Sequence, residues 1–134
     1  MSVSISHQVP FHDVDCFGIV WHGHYYKYFE LARTALYRAH GADDAGHQEF
    51  LFPVIESYCR YAEPLAYGQQ LTLSASFYEW EYYILIKYAI FDQKSTRRVA
   101  YGHTKQAVCD LQKNLLGCVP ESVVACISAS RVAD

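Results

Sequence analysis

The sequence predicts an α+β domain in which an antiparallel sheet of about five strands wraps around one long central helix. Two observations carry that expectation: a strand-like N-terminal segment runs straight into a strongly amphipathic helix, and almost everything after that helix reads as strand. The length of 134 residues fits a single domain covering residues 1–134 and leaves little room for a second. Hydrophobic residues make up 51% of the chain against 19% charged, enough apolar surface for a real core and against disorder.

Each element has its own justification. Val3, Ile5, Val9 and Phe11 share one parity, with Ser4, Ser6 and Gln8 on the other, as in a half-buried strand. Pro10 donates no ladder hydrogen bond and suits an edge or the strand's end. A loop with Asp13, Asp15, Cys16 and Gly18 follows. Tyr25, Tyr28, Phe29, Ala32, Ala35, Leu36 and Ala39 then recur at spacings of three and four, one helical stripe, with Lys27, Glu30, Thr34 and Arg38 opposite. Leu31 widens the apolar arc, and Gly41 ends the helix as a C′ glycine. Residues 42–48 read as loop. Pro53 opens a strand running to about Tyr61, and Leu71, Leu73, Ala75 and Phe77 mark the next by parity. Residues 82–91, nearly continuous in apolar side chains, form a central strand, although the break before them near Glu79 to Glu81 has no Gly or Asn. A polar turn at 92–96 leads to a long last strand over 99–111. Pro120 is expected at N1 of a short C-terminal helix, with Glu121 in its first turn. The long strand 99–111 is expected at the sheet's outer edge, where a second copy of the chain covers it, giving a homodimer or homotetramer.

Composition excludes several classes. The net charge of −3 leaves no basic footprint for nucleic acid. The five cysteines, Cys16, Cys59, Cys109, Cys118 and Cys126, are odd in number and contain no C-x-x-C, which reads as reduced thiols. The N-terminus has no signal-peptide pattern, and the longest apolar stretch is short and interrupted by Lys87. A soluble cytoplasmic protein with no membrane partner is expected.

The chemistry concentrates between Phe11 and Arg33. Asp13 and Asp15 are expected to divide, one facing inward while the other faces solvent or caps the turn. Gly18 permits a positive φ and a sharp turn after Asp15. His22, Gly23 and His24 open the helix, whose first N–H groups lack internal partners and favour an anion or a developing oxyanion. A carboxylate beside such a helix end is what acyl transfer to water needs. By pattern alone Asp15 has a rival role as turn cap. The H-x-H of His22 and His24, with His7, His12 and the two aspartates, raises a metal site, but no zinc-ligand spacing accompanies it, and no metal or other cofactor is expected. Glu30 and Arg33 at i,i+3 read as a helix-surface ion pair. Cys16 as a nucleophile with His22 as base is disfavoured, because the neighbouring carboxylate raises a thiol's pKa. Trp21, Tyr25, Tyr26, Tyr58 and Trp80 suit core or interface.

The run Phe11-His-Asp-Val-Asp15-Cys-Phe-Gly18-Ile-Val-Trp21-His22-Gly-His-Tyr25-Tyr-Lys-Tyr-Phe-Glu30-Leu-Ala-Arg33 resembles the 4-hydroxybenzoyl-CoA thioesterase-like branch of the hotdog-fold superfamily. Gly102-His-Thr-Lys-Gln106-Ala-Val resembles the family's last long strand, and Pro120-Glu121 its ending. The resemblance implies a hotdog fold and an acyl-CoA thioesterase acting on an acyl- or aroyl-CoA. Asp15 matches the catalytic carboxylate, as nucleophile or as general base. The backbone around His22 matches the oxyanion site, with Gly18, Gly23 and Tyr25 positioning the substrate and His22 assisting. His24 departs from the small residue or Asn common at its position. Two protomers would form the acyl pocket together. Some relatives take acyl carrier protein thioesters instead, and a non-catalytic acyl-binding hotdog protein is the alternative from another class. Arg97 and Arg98 are candidates for phosphate contacts, against a plain solvated turn.

Overall fold

The computed structural model describes residues 2–41 and 49–133. The strand β1 (Ser2–Gln8) is followed by a 3₁₀ turn (Phe11–Asp13) and the helix α1 (His24–Ala39). Then come β2 (Phe50–Leu51), β3 (Val54–Tyr61), β4 (Gln70–Glu79), β5 (Ile84–Asp92), β6 (Arg98–Gln106), β7 (Cys109–Asp110) and the helix α2 (Glu121–Ala133). Five of the strands form one antiparallel sheet in the order β1-β4-β5-β6-β3, and β2 pairs with β7 beside it. The expected α+β class, with five main strands around one long helix, is what the structure shows.

The helix buries Tyr25, Tyr28, Phe29, Ala32, Leu36 and Tyr37. Its inner face packs on β1, β4 and β5, where Leu71, Leu73, Ile84, Ile86 and Ile90 are fully buried. Each such side chain contributes about 1.5–3 kcal/mol. Phe29 stacks flat on Tyr88 with ring centroids 4.5 Å apart. The stripe departs from its ideal spacing near the end: Ala39 is exposed and Tyr37 is buried in its place. A hydroxyl makes the difference, because Tyr37 can bury its ring while donating to Gln106 Oε1 at 2.6 Å. Gly41, at φ +68°, closes α1 by donating to the Arg38 carbonyl.

Several boundaries differ from the sequence expectation. Phe11 does not continue β1; the chain turns after Pro10, and Phe11 is 75% exposed. The segment 99–111 is not one strand and not an edge. β6 ends at Gln106, Ala107 N–H turns to the Pro53 carbonyl, and Cys109–Asp110 pairs separately with β2. β6 lies between β5 and β3, so the free edges of the sheet are β1 and β3. Sequential pairing holds for β4, β5 and β6, but β3 skips two strands to pair with β6. Pro120 stands just before α2 and not at N1, since its carbonyl accepts the N–H bonds of Val123 and Val124. The expected loop at 42–48 lies outside the described residues.

α2 buries Val123 and Ile127, and His40, at the end of α1, meets the Ile127 carbonyl through Nδ1 at 3.2 Å. No helix among the described residues is long and apolar enough to cross a membrane.

The pairing of β3 with β6 depends on a missing side chain. A Cβ on Gly102 would collide with the Tyr58 carbonyl and with the Phe29 ring. Gly102→Ala is therefore expected to lower stability by about 1–3 kcal/mol. A urea titration checks it, and an unchanged midpoint would refute the close approach.

Candidate active site

Asp13 to Trp21 folds back on itself as a small hairpin. Trp21 N–H donates to the Asp13 carbonyl at 3.0 Å, and Asp15 N–H to the Ile19 carbonyl at 2.9 Å. Gly18 N–H closes the turn on the Asp15 carbonyl at 3.0 Å. Gly18 has φ +79°, the left-handed position a three-residue hairpin loop requires. The loop before β4 braces this hairpin through Val20 N–H to the Leu65 carbonyl at 2.9 Å and a bridge between Ile19 and Ala66.

The two aspartates separate as the sequence expected. Asp13 is 1% exposed. Its Oδ2 accepts the Tyr28 hydroxyl at 2.6 Å, its Oδ1 accepts the Lys27 ammonium, and His24 Nε2 stands 3.9 Å away. Burial alone would raise the pKa of this carboxyl, but the Lys27 and Tyr28 hydrogen bonds outweigh it and leave the value below the ordinary range. Burial and the hydrogen bond to Asp13 together push the Tyr28 phenol far up, so it remains a donor. His7, on β1, packs its ring 4.8 Å from Tyr28. Burial lowers its pKa, with Asp13 opposing, and its buried Nε2 has no partner among the described residues.

Asp15 is half-buried. Its Oδ1 accepts the Phe17 N–H at 2.8 Å, so it does cap its own turn. No described side chain pairs with Oδ2. One oxygen is thus held in place by the turn, and the other has no partner among the described side chains.

The helix start follows directly. Gly23 is the N-cap residue and supplies no side-chain cap. A Cβ on Gly23 would collide with the Trp21 indole, so the ring packs directly on this peptide. His24 N–H and Tyr25 N–H turn back to the Trp21 and His22 carbonyls, at 3.0 and 3.4 Å. Those two donors are engaged. The His22 side chain is exposed; its ring lies 5.0 Å from Trp21 and 6.2 Å from Tyr61. Tyr25 is 2% exposed and packs edge-on against Tyr61 at 4.6 Å, so it supports the helix start from the core.

Sequence reasoning missed two features near the candidate site. Tyr61, the last residue of β3, donates its hydroxyl to the His22 carbonyl at 3.1 Å. Nothing local in the sequence signals this contact, which spans 39 positions. The second is a cavity of about 710 Å³ between α1 and the β2–β7 corner. Tyr37, Phe50 and Phe52 give it an aromatic wall, and Glu30, Arg33 and Lys113 bring charge to it. Glu30 and Arg33 are expected to form a surface pair; instead Arg33 reaches the Tyr88 hydroxyl at 3.4 Å. Asp15 and His22 do not line this cavity within one chain.

Cys16 is exposed, and the five cysteines are free thiols. Burial pushes the Cys59 thiol up to about 11. Arg97 pairs with Glu63, and Arg98 lies over the Tyr101 ring at 4.1 Å. Among the described residues no three His, Cys, Asp or Glu side chains converge as a metal site requires.

A family model described as the thioesterase-like superfamily matches residues 9–127. A protein described as a putative esterase from Aquifex aeolicus is 28% identical over 120 residues, covering 87% of this chain and 91% of its own. Among solved structures, a gentisyl-coenzyme A thioesterase superposes with a TM-score of 0.81 at 23% identity, covering 93% of this chain and 99% of that one. A 1,4-dihydroxy-2-naphthoyl-CoA thioesterase from Synechocystis gives 0.82 at 15% identity, with 96% of each chain covered. Both likenesses are to the fold, and the hotdog architecture expected from the sequence is the one they share.

The geometry separates Asp13 from Asp15 experimentally. Asp13→Asn is expected to cost about 1–3 kcal/mol at neutral pH, because it weakens a buried charged hydrogen-bond pair. The folded-state pKa of Asp13 lies below its unfolded value near 3.9. Its contribution is therefore complete above about pH 4 and is lost as the pH falls through the folded value. Urea titrations of wild type and variant across pH 2–7 should converge at the acid end; a constant gap throughout would contradict the assignment.

Proposed function

Because the chain belongs to the thioesterase-like superfamily, we propose that it hydrolyses the thioester bond of an acyl- or aroyl-CoA, with Asp15 as the reacting carboxylate and the helix start as the oxyanion site. The observation that carries this reading is the division of labour in the Asp13–Trp21 hairpin. Asp13 is committed to Lys27 and Tyr28, whereas Asp15 is half-buried, fixed by one oxygen and unpaired at the other. A carboxylate so placed attacks a thioester carbonyl or takes a proton from the water that does. The peptides of His22 and Gly23, at the positive end of α1, stabilise the oxygen charge that develops. If Asp15 attacks, the CoA thiolate leaves and water hydrolyses the resulting mixed anhydride; if water attacks, the proton taken by Asp15 passes to the leaving sulfur. Either route consumes one water and yields the free acid and the CoA thiol.

The acyl group belongs in the cavity beside α1, and the open edge of β3 explains how a cavity remote from Asp15 in one chain joins the site. Val54, Ile55, Tyr58 and Tyr61 on β3 are 44%, 59%, 45% and 40% exposed. A long apolar edge strand with unpaired backbone groups is covered by a second copy. The β3 edge begins at Val54, next to the cavity-lining Phe52 and Pro53. A partner docked on β3 therefore borders the cavity and brings its own hairpin and helix start toward it. The aromatic wall of Tyr37, Phe50 and Phe52 fits a planar aroyl group, the kind of group named for the two solved thioesterases.

A hydrolysis screen with aroyl, short-chain and long-chain acyl-CoAs, together with acyl carrier protein thioesters, tests the substrate class. Asp15→Asn should keep the unfolding midpoint while lowering kcat by about 10²-fold or more. Hydrolysis by this variant at the wild-type rate would overturn the role of Asp15. Light scattering should give at least a dimer for the wild-type chain and a monomer for Ile55→Glu, which places a charge on the β3 edge. A monomeric wild type would overturn the shared pocket.

A further inference from the structure

We infer that Tyr61 is a positioning residue for the oxyanion site, acting through the peptide that joins His22 to Gly23. The inference rests on the thioesterase reading above and adds a residue outside the Phe11–Arg33 segment.

The His22 carbonyl accepts two hydrogen bonds, one from Tyr25 N–H at 3.4 Å and one from the Tyr61 hydroxyl at 3.1 Å. The first belongs to the helix's opening turn and is long. The second comes from the end of β3 and crosses from sheet to helix. An amide whose carbonyl accepts a hydrogen bond becomes a stronger donor at its N–H, by about 10–30% per bond. The N–H of this amide belongs to Gly23, at the N-cap of α1. Tyr61 thus draws electron density from the amide nitrogen toward the oxygen of the peptide whose N–H faces the oxyanion.

The same contact fixes the orientation of that peptide. Gly23 has no side chain to hold it, and Trp21 presses on it from one side. Tyr61 is itself held by the edge-on contact with the buried Tyr25. Sheet, helix and hairpin therefore meet at one amide plane. Preorganised donors are effective because they need not reorient as the charge forms. Burial raises the Tyr61 phenol to about 12, with Cys59 adding to the shift, so the hydroxyl remains a donor throughout the pH range of an assay.

The test is Tyr61→Phe, which keeps the ring against Tyr25 and removes only the hydroxyl. The expected result is a fall in kcat of about tenfold with KM within a factor of two. The backbone amide proton of Gly23 should move upfield in the NMR spectrum, and the unfolding midpoint should change little. Tyr83→Phe removes a comparable hydroxyl, the one that donates to Glu79 at 2.7 Å on the β4–β5 hairpin, and should leave kcat unchanged. If Tyr61→Phe hydrolyses at the wild-type rate, or if the Gly23 signal does not move, the positioning role is wrong. If the wild-type chain hydrolyses no thioester at all, the thioesterase reading fails; the Gly23 signal then decides alone whether Tyr61 polarises this peptide.

Discussion

The buried carboxylate of Asp13 is the interaction on which the local architecture depends. Taking a negative charge out of water is costly unless the protein replaces the lost hydration. Here the replacement comes from one stretch of helix, because Lys27 and Tyr28 are adjacent in sequence and reach one oxygen each. The main chain of the same residue accepts Trp21 N–H. One amino acid therefore pins the first turn of α1 with its side chain and the hairpin with its backbone. The separation of the hairpin tip from the helix start is set by that double attachment. Asp15 inherits its position from that neighbour.

The proposed division between a structural carboxylate, Asp13, and a reactive one, Asp15, is economical. Two acids side by side in one cavity would raise each other's pKa. Turning one inward, where a lysine and a phenol neutralise it, leaves the other with one hydrogen bond from its own turn. The cost is a stretch of backbone with little freedom: a left-handed glycine at 18 and a glycine under an indole at 23. Both are positions where a side chain would strain or displace the site.

Much of this was legible in the sequence because it is local. The three-and-four spacing from Tyr25 to Leu36 located the helix and its buried face. Gly18 marked the turn, but the Asp-x-Asp spacing, which in extended chain puts both acids on one face, did not separate them; the 3₁₀ turn and the hairpin do. The resemblance then chose Asp15 over Asp13, which periodicity could not do. What the sequence concealed is long-range. Nothing in residues 54–61 says that they pair with β6 and not with β4, and nothing in 99–111 says that the strand breaks where Ala107 turns to Pro53. The edge strand was misplaced for that reason. Tyr61 was invisible for the same reason, since its partner lies 39 residues away and is a carbonyl, which every residue has.

The strand order also has a kinetic side. β4, β5 and β6 pair with their neighbours in sequence and close through short turns, whereas β1 must find β4, and β3 must find β6, across long intervening chain. Contacts between sequence neighbours form early and cheaply; distant ones wait for the loop entropy to be overcome. Asp15 follows β1, and Tyr61 ends β3, so the two groups flanking the helix start ride on the latest-joining strands. A half-assembled chain with its central meander in place would already bury much of the core and yet hold no competent site. The same order in reverse makes the site the first casualty of partial unfolding, so loss of activity should precede loss of the sheet when the protein is warmed.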